Sequence, residues 1–497
     1  MLTAFLVFFP LAAALLLHFA KGGAARALAL GASLLELAVA VFAAVTYARS
    51  GPGALDVNLN WIPSAGINFH LGIDGLSLCL VLLTTVLVPI ILATAFRHDE
   101  YENPGAFYAL VLFMQTGLLG VFTALDAFVF YFFWEVALIP IYFLAGAWSR
   151  AERRIQITFK FFLYTIIGSL FMLAGFVYLY LQTGPAINPG WHTTLAAHSS
   201  DIQAMYTAGK QLAASQQAWV FWLIFAAFAV KMPIFPFHTW QPDTYTESPA
   251  PATMLLSGIM LKMGVYGCLR WLLPVVPLGT SQWQQLVMVL AIIGIIYGAI
   301  IAIRQRDMKR LIAYSSLSHV GLMIAGVFSL RAIGLQGAVV QMLAHGVNVV
   351  GMFLVADAIE RRTGTRNLAD LGGLTRRTPL LSVCFLVMLL STVALPLTGG
   401  FVGEFLLLAG VYEFNMWAGA VAGLTIIFSA VYLLRMYQRA MLGPDSAYSD
   451  TITDLSGKEL FLFAPLIVLV FWLGLFPGTF LHLSEPTISS ILTAVGR

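Results

Sequence analysis

Charge is what this sequence lacks most. Aspartate, glutamate, lysine and arginine make up 10% of its 497 residues, against roughly 25% in a soluble domain. Apolar residues reach 60%. No soluble core of this length needs so much apolar sequence, which excludes the soluble classes and leaves a chain that crosses a membrane many times. Cysteine is scarce too. Cys79, Cys268 and Cys384 each sit alone in an apolar run, with no CxxC pair and no metal-ligand spacing. They read as small buried apolar residues, and an iron–sulfur ligand set is missing. There is no GxGxxG, no Walker loop and no basic-aromatic surface for nucleic acid. Any nucleotide or electron chemistry is expected in other chains.

What is present is a series of apolar runs, each of the roughly 17–25 residues that span a bilayer. They lie near 2–19, 28–48, 74–95, 106–124, 127–147, 156–182, 217–237, 249–273, 283–303, 309–329, 333–359, 379–411, 417–440 and 460–481. The fold class expected is therefore an all-α polytopic membrane protein with about 14 transmembrane helices. The first run has no basic residue before it and Lys21 and Arg26 after it, which reads as a retained helix rather than a cleaved signal.

Two runs are interrupted. In the seventh, Lys231-Met-Pro233-Ile-Phe-Pro236 breaks the helix, because proline lacks an N–H and clashes with the carbonyl four residues back. In the twelfth, Pro396 is followed by Gly399, Gly400 and Gly403. Broken helices at membrane depth line protein or water rather than lipid. A pair of them in corresponding halves suggests inverted repeats. The organisation expected is helices 1–3 over 1–105, a five-helix repeat over 106–273, a second over 283–440, and a C-terminal helix and tail over 441–497.

Basic residues gather in alternate loops. One set includes Arg150, Arg153 and Arg154, then Arg304, Arg306, Lys309 and Arg310, then Arg361, Arg362, Arg366, Arg376 and Arg377. The other loops hold only Arg49, Lys210, Arg270, Arg331 and Arg497. By the positive-inside rule both termini are expected on the outer side.

Against this apolar background six ionisable side chains stand out: Glu135, Lys231, Lys262, His319, His345 and Glu404. Such residues at membrane depth are costly and mark ion pathways or proton relays. Lysine is the cation whose proton affinity moves most readily on burial. Lys231 precedes Pro233 by two positions, and the break frees the carbonyl of Ala229 to solvate an ammonium. Glu135, in Trp-Glu-Val, is its expected carboxylate partner, in a switching pair or a structural salt bridge. Lys262 falls near the middle of its run, where snorkelling to an interface is out of reach. His319 ends the polar strip Tyr-Ser-Ser-Leu-Ser-His. Gln341, His345 and Asn348 share one helix face. These histidines suit a relay or a hydrogen-bonded core. Glu404 follows the twelfth-run break, as a terminal proton acceptor or a half-helix cap. Asp74 reads as a helix N-cap, Asp126 as a helix junction, and His238 as a cytoplasmic-side gate or a structural residue.

The run Val-Lys231-Met-Pro-Ile-Phe-Pro-Phe-His-Thr-Trp-Gln-Pro-Asp, with Ser-Pro-Ala-Pro-Ala-Thr and Leu-Lys262-Met-Gly after it, resembles the proton-conducting antiporter-like membrane subunits. These occur in respiratory complex I, Mrp sodium/proton antiporters and membrane-bound hydrogenases. The resemblance covers almost the whole chain. It matches Glu135 to the fifth-helix glutamate, Lys231 and Lys262 to the lysines of helices seven and eight, and His319 and His345 to the relay histidines. Within complex I, the L and N types have lysine on the broken twelfth helix and the M type glutamate, so Glu404 makes this chain similar to the M type.

The resemblance implies a proton-translocating role in a bacterial inner membrane, with no redox chemistry in this chain. FMN, iron–sulfur clusters and quinone would belong to partner subunits, and L- and N-type subunits would be its membrane neighbours. It also implies an order for the proton, from Lys231 to Lys262, through His319 and His345, to Glu404. A D-type component of an Mrp cation/proton antiporter, or a hydrogenase membrane subunit, is the alternative. A di-haem cytochrome built on His319 and His345 is a reading from a different class.

Overall fold

The computed structural model describes residues 1–98, 101, 103–149, 151–184 and 198–496. Arg150 and Arg497, used above to orient the chain, lie outside these. Among the described residues, eleven helices are long and apolar enough to cross a membrane. In hydrocarbon every backbone N–H must find its partner within its own segment, and a helix of this length does so. Ala250–Leu272 is buried throughout, and the most apolar 18-residue stretches of Ala332–Thr363 and Met308–Phe328 are wholly and almost wholly buried. Those three carry Lys262, His345 and His319. Gly22–Ser50 and Arg154–Gln182 instead leave large apolar side chains exposed, among them Phe42, Ile167 and Leu170, as lipid contact requires.

Three of the fourteen expected spans take another form. The first is Leu2–Leu17, only 16 residues long. In the seventh the helix Ala214–Lys231 stops at Lys231, and the next helix, Gln241–Glu247, begins after a run of turns. The twelfth divides into Pro379–Thr392 and Gly399–Phe414. Between them Ala394 and Leu397 have φ of 66° and 77°, the left-handed region that side chains with a Cβ avoid. The three glycines expected to mark this break are helical residues beyond it.

Other features lay outside the sequence reading. Strands Val57–Ile62 and Ile67–Leu71 form an antiparallel hairpin, a small departure from an all-α fold. Helix Gly478–Val495 follows the last expected span. The fifth span bends at Ala137 between Ala127–Val136 and Leu138–Ala147, because Pro140 cannot donate to the carbonyl of Val136. The eighth contains two π-helical turns, Leu256–Met260 and Cys268–Leu272, on either side of Lys262. Turns of this kind recur at functional sites.

The chain divides into two compact units. The first comprises Met1–Met232, Ile259–Gln285 and Leu483–Arg497, the second Pro233–Gly258 and Leu286–His482. In the first unit, Leu2–Leu17 packs on Pro104–Thr123, and Arg154–Gln182 on Ala214–Lys231. In the second, Ala332–Thr363 packs along Gly399–Phe414 and Met308–Phe328. Arg366 ties this unit together, pairing with Asp307 at 2.5 Å, Glu247 at 3.0 Å and Glu360 at 3.7 Å. Glu247 thus ends the Gln241–Glu247 helix as an ion-pair partner.

Candidate functional site

Glu135, Lys231 and Lys262 belong to the first unit, and His319, His345 and Glu404 to the second. In the first unit, the fifth-span bend places Glu135 one residue before a helix end. Lys231 is 2% exposed. No hydrogen bond joins the two. Among the described residues, the Lys231 Nζ and the Glu135 Oε1 have no hydrogen-bond partner. Lys231 instead places its Nζ 5.1 Å from the centroid of the Trp134 ring. A desolvated cation over a tryptophan face gains about 2 kcal/mol. Trp134, beside Glu135 in the sequence, is a neighbour that sequence reasoning passed over.

Lys262 is fully buried. Its helix packs against the end of the Lys231 helix at Gly264, where an added Cβ would lie 2.8 Å from both the Met232 Cβ and the Phe228 carbonyl oxygen. Glycine there lets the two lysine-bearing segments meet.

In the second unit the sequence strip around His319 becomes a buried polar cluster. His319 Nδ1 lies 2.8 Å from Glu404 Oε1, with the two side chains 2% and 1% exposed. The approach is too oblique to count as a hydrogen bond, and the two carry opposite charges only when the histidine is protonated. The His319 and His345 ring centroids are 6.2 Å apart. Ser316 Oγ lies 3.0 Å from His345 Nε2, and Ser391 Oγ donates to Asn348 Oδ1 at 2.7 Å. Ser315 meets the Tyr432 hydroxyl at 3.0 Å.

The face shared by Gln341, His345 and Asn348 lines, with Ser315, Ser316 and His319, a cavity of about 20 Å³. A polar cavity of this size holds a single water, which can bridge donors and acceptors. It is far too small for a porphyrin, which removes the di-haem reading. Gly400 and Gly403 make the cluster this tight. A Cβ at Gly400 would sit 1.9 Å from the Ser391 carbonyl oxygen, and one at Gly403 2.9 Å from the Gln341 Cα.

Asp74 and Asp126 are both helix N-caps. Asp74 accepts from Ser77 N at 2.9 Å, and Asp126 from Phe128 N at 2.9 Å and Val129 N at 3.2 Å. His238 is buried beside Phe235 and Tyr297.

Several buried ionisable groups escaped the sequence reading, Lys309 and Glu36 among them. Lys309, placed with the loop charges, is 3% exposed and donates to the Ser248 carbonyl at 2.7 Å. Glu36 is 1% exposed, and neither of its oxygens has a hydrogen-bond partner among the described residues. Its signal was plain, a lone carboxylate in Leu-Leu-Glu36-Leu within the second span. Lys309 had none, because it stands at a span boundary where burial and exposure look alike.

Subunit M of NADH-quinone oxidoreductase from Rickettsia typhi is 37% identical over 434 residues, covering 87% of this chain and 84% of the relative. Its counterpart from Rhodobacter capsulatus is 36% identical over 500 residues, covering 99% and 96%. Among solved structures, a chain of respiratory complex I from Thermus thermophilus with bound NADH superposes with a TM-score of 0.90. It is 31% identical, and each chain is covered completely. A chain of an archaeal membrane-bound sulfane sulfur reductase shares the fold, with a TM-score of 0.85, 22% identity and 99% coverage of both. A family model matches residues 124–429, and the chain belongs to that family, the NADH:quinone oxidoreductase/Mrp antiporter transmembrane proteins.

Proposed function

We propose that this chain is an M-type proton-translocating membrane subunit of an NADH-quinone oxidoreductase. It works in a bacterial inner membrane with both termini on the periplasmic side. FMN, iron–sulfur clusters and quinone belong to its partner subunits, and L- and N-type subunits flank it in the membrane. Glu135, Lys231, Lys262, His319, His345 and Glu404 carry the proton. The five-helix segments 106–273 and 283–440 act as inverted repeats, each supplying half of the path.

The observation that carries this reading is the buried His319–Glu404 pair at 2.8 Å, beside a water-sized polar cavity. A buried ion pair is a poor source of stability, whereas a histidine, a carboxylate and a water make a proton relay. Lys231 supports it further. Held over Trp134 with no hydrogen bond to Glu135, it occupies one of the two arrangements that a carboxylate switch requires. Drawing Glu135 closer favours the ammonium, and withdrawing it releases the proton. The twelfth-span glutamate favours the M type over a D-type Mrp component or a hydrogenase membrane subunit.

The test is Lys231→Ala in the assembled complex. Pumping driven by NADH oxidation is expected to fall to near background. Full pumping at a normal oxidation rate sinks the proposal.

A further inference from the structure

The first unit contains a cavity of about 770 Å³, far larger than the water-sized one described above. Its wall carries charge of both signs. His70 sits between two carboxylates, with Nδ1 2.6 Å from Asp201 Oδ2 and Nε2 2.9 Å from Asp56 Oδ1. Lys210 lines it as well. Asp74 and Arg270, also in its wall, form an ion pair. Arg270 was read in the sequence as an outer-loop cation, yet it is 8% exposed.

Behind that pair the polar groups continue. The Arg270 guanidinium carbon lies 5.7 Å from the centroid of the Tyr266 ring. The Tyr266 hydroxyl donates to the Phe122 carbonyl at 3.1 Å and lies 3.3 Å from Ser77 Oγ. Both Tyr266 and Ser77 are fully buried. Lys262, Tyr266 and Arg270 follow one another at four-residue spacing, on one face of their helix. Tyr206 donates to the Arg270 carbonyl at 2.7 Å, which fixes the π-helical turn that carries the guanidinium.

We propose that the Arg270–Asp74 pair is the gate of a second outlet, a side branch within the first unit between the helix face that carries Lys262 and the large cavity, apart from the route through His319, His345 and Glu404. This rests on the orientation and on the role of Lys262 given above. A guanidinium is always charged. Engaged with Asp74, it stands across the route and repels a proton entering from the cavity. When the pair parts, a proton leaving the Lys262 ammonium passes along the Tyr266 and Ser77 hydroxyls, each able to accept and donate. It reaches the cavity, and Lys262 is left neutral. The His70–Asp201–Asp56 group lies in the cavity wall, where it can take up the emerging proton.

Accessibility of single cysteines to a membrane-impermeant maleimide tests this. The whole complex is used in sealed vesicles, with the three native cysteines replaced by alanine. Lys210→Cys reports the cavity and Ser77→Cys the space behind the gate. Labelling of Lys210→Cys from the outer face is expected, with Ser77→Cys protected. Adding Arg270→Gln is expected to speed Ser77→Cys labelling from that face about tenfold, as local opening does for any protected site, and to raise passive proton leak. If Arg270→Gln fails to assemble, Asp74→Asn parts the pair while keeping the guanidinium. Ser77→Cys equally protected with and without the ion pair, while Lys210→Cys reacts from outside, overturns the gate and leaves the orientation standing. Lys210→Cys reacting only from the inner face overturns the orientation itself.

Discussion

Between Asp56 and Asp201, His70 has a carboxylate on each ring nitrogen. Burial disfavours the charged ring, but the hydrogen bond and charge of Asp201, with the charge of Asp56, outweigh it. His70 is held above its ordinary 6.5. The sign follows from linkage: the stabilisation is complete below that ordinary value and is lost as pH rises through the raised one. Amide exchange in the 57–71 hairpin, corrected for intrinsic rates, should show protection falling as pH rises from about 6 to 9. The His70→Gln variant should show no such fall. A native hairpin whose protection is flat with pH, or rises, would count against the double pairing.

At this scale much was legible. The six charges stood out because apolar sequence makes any charge conspicuous. Glu36 was equally conspicuous and was passed over, and nothing in the sequence marks Trp134 as the seat for Lys231. Pairing across space has no sequence period.

Helices were legible wherever one apolar run made one helix, since length and hydropathy settle that alone. The interruptions were legible only where proline causes them. Pro233 marks the end at Lys231, but Pro140 was missed because the apolar run continues through it. The left-handed Ala394 and Leu397, and the π turns flanking Lys262, are forced by packing and carry no signature. Gly399, Gly400 and Gly403 were seen, with the wrong role assigned. They give close approach rather than a bend. Gly400→Ala drives a Cβ toward the Ser391 carbonyl, and should cost about 1–3 kcal/mol as overpacking does. A lowered melting temperature of the purified complex is the expected result, and an unchanged one would show that the segment between the helices yields freely.

Across the whole molecule, polarity is inverted relative to a soluble protein. Charges such as Lys262 and Glu404 are inside, while Phe42, Ile167 and Leu170 are outside. This was readable from composition, because a chain with so few charges cannot cover its surface with them. Which charges would cluster was not, since each cluster joins segments far apart in sequence. Ile167→Arg on the lipid-facing side should cost about 2.5–3.5 kcal/mol of insertion free energy. The amount of membrane-integrated chain is the measure. Normal integration would mean that this face meets protein.

The burial of His319 with Glu404 has an electrical consequence. A charge carried through the full membrane field does about 2.3 kcal/mol of work per 100 mV. A proton arriving at a deep carboxylate crosses only part of that field, so its occupancy follows the voltage as well as the pH. Each buried group is then a small voltmeter. On the proposed proton path, the same residues would feel the opposing voltage as the respiratory chain charges the membrane, which would give the pump its own back-pressure.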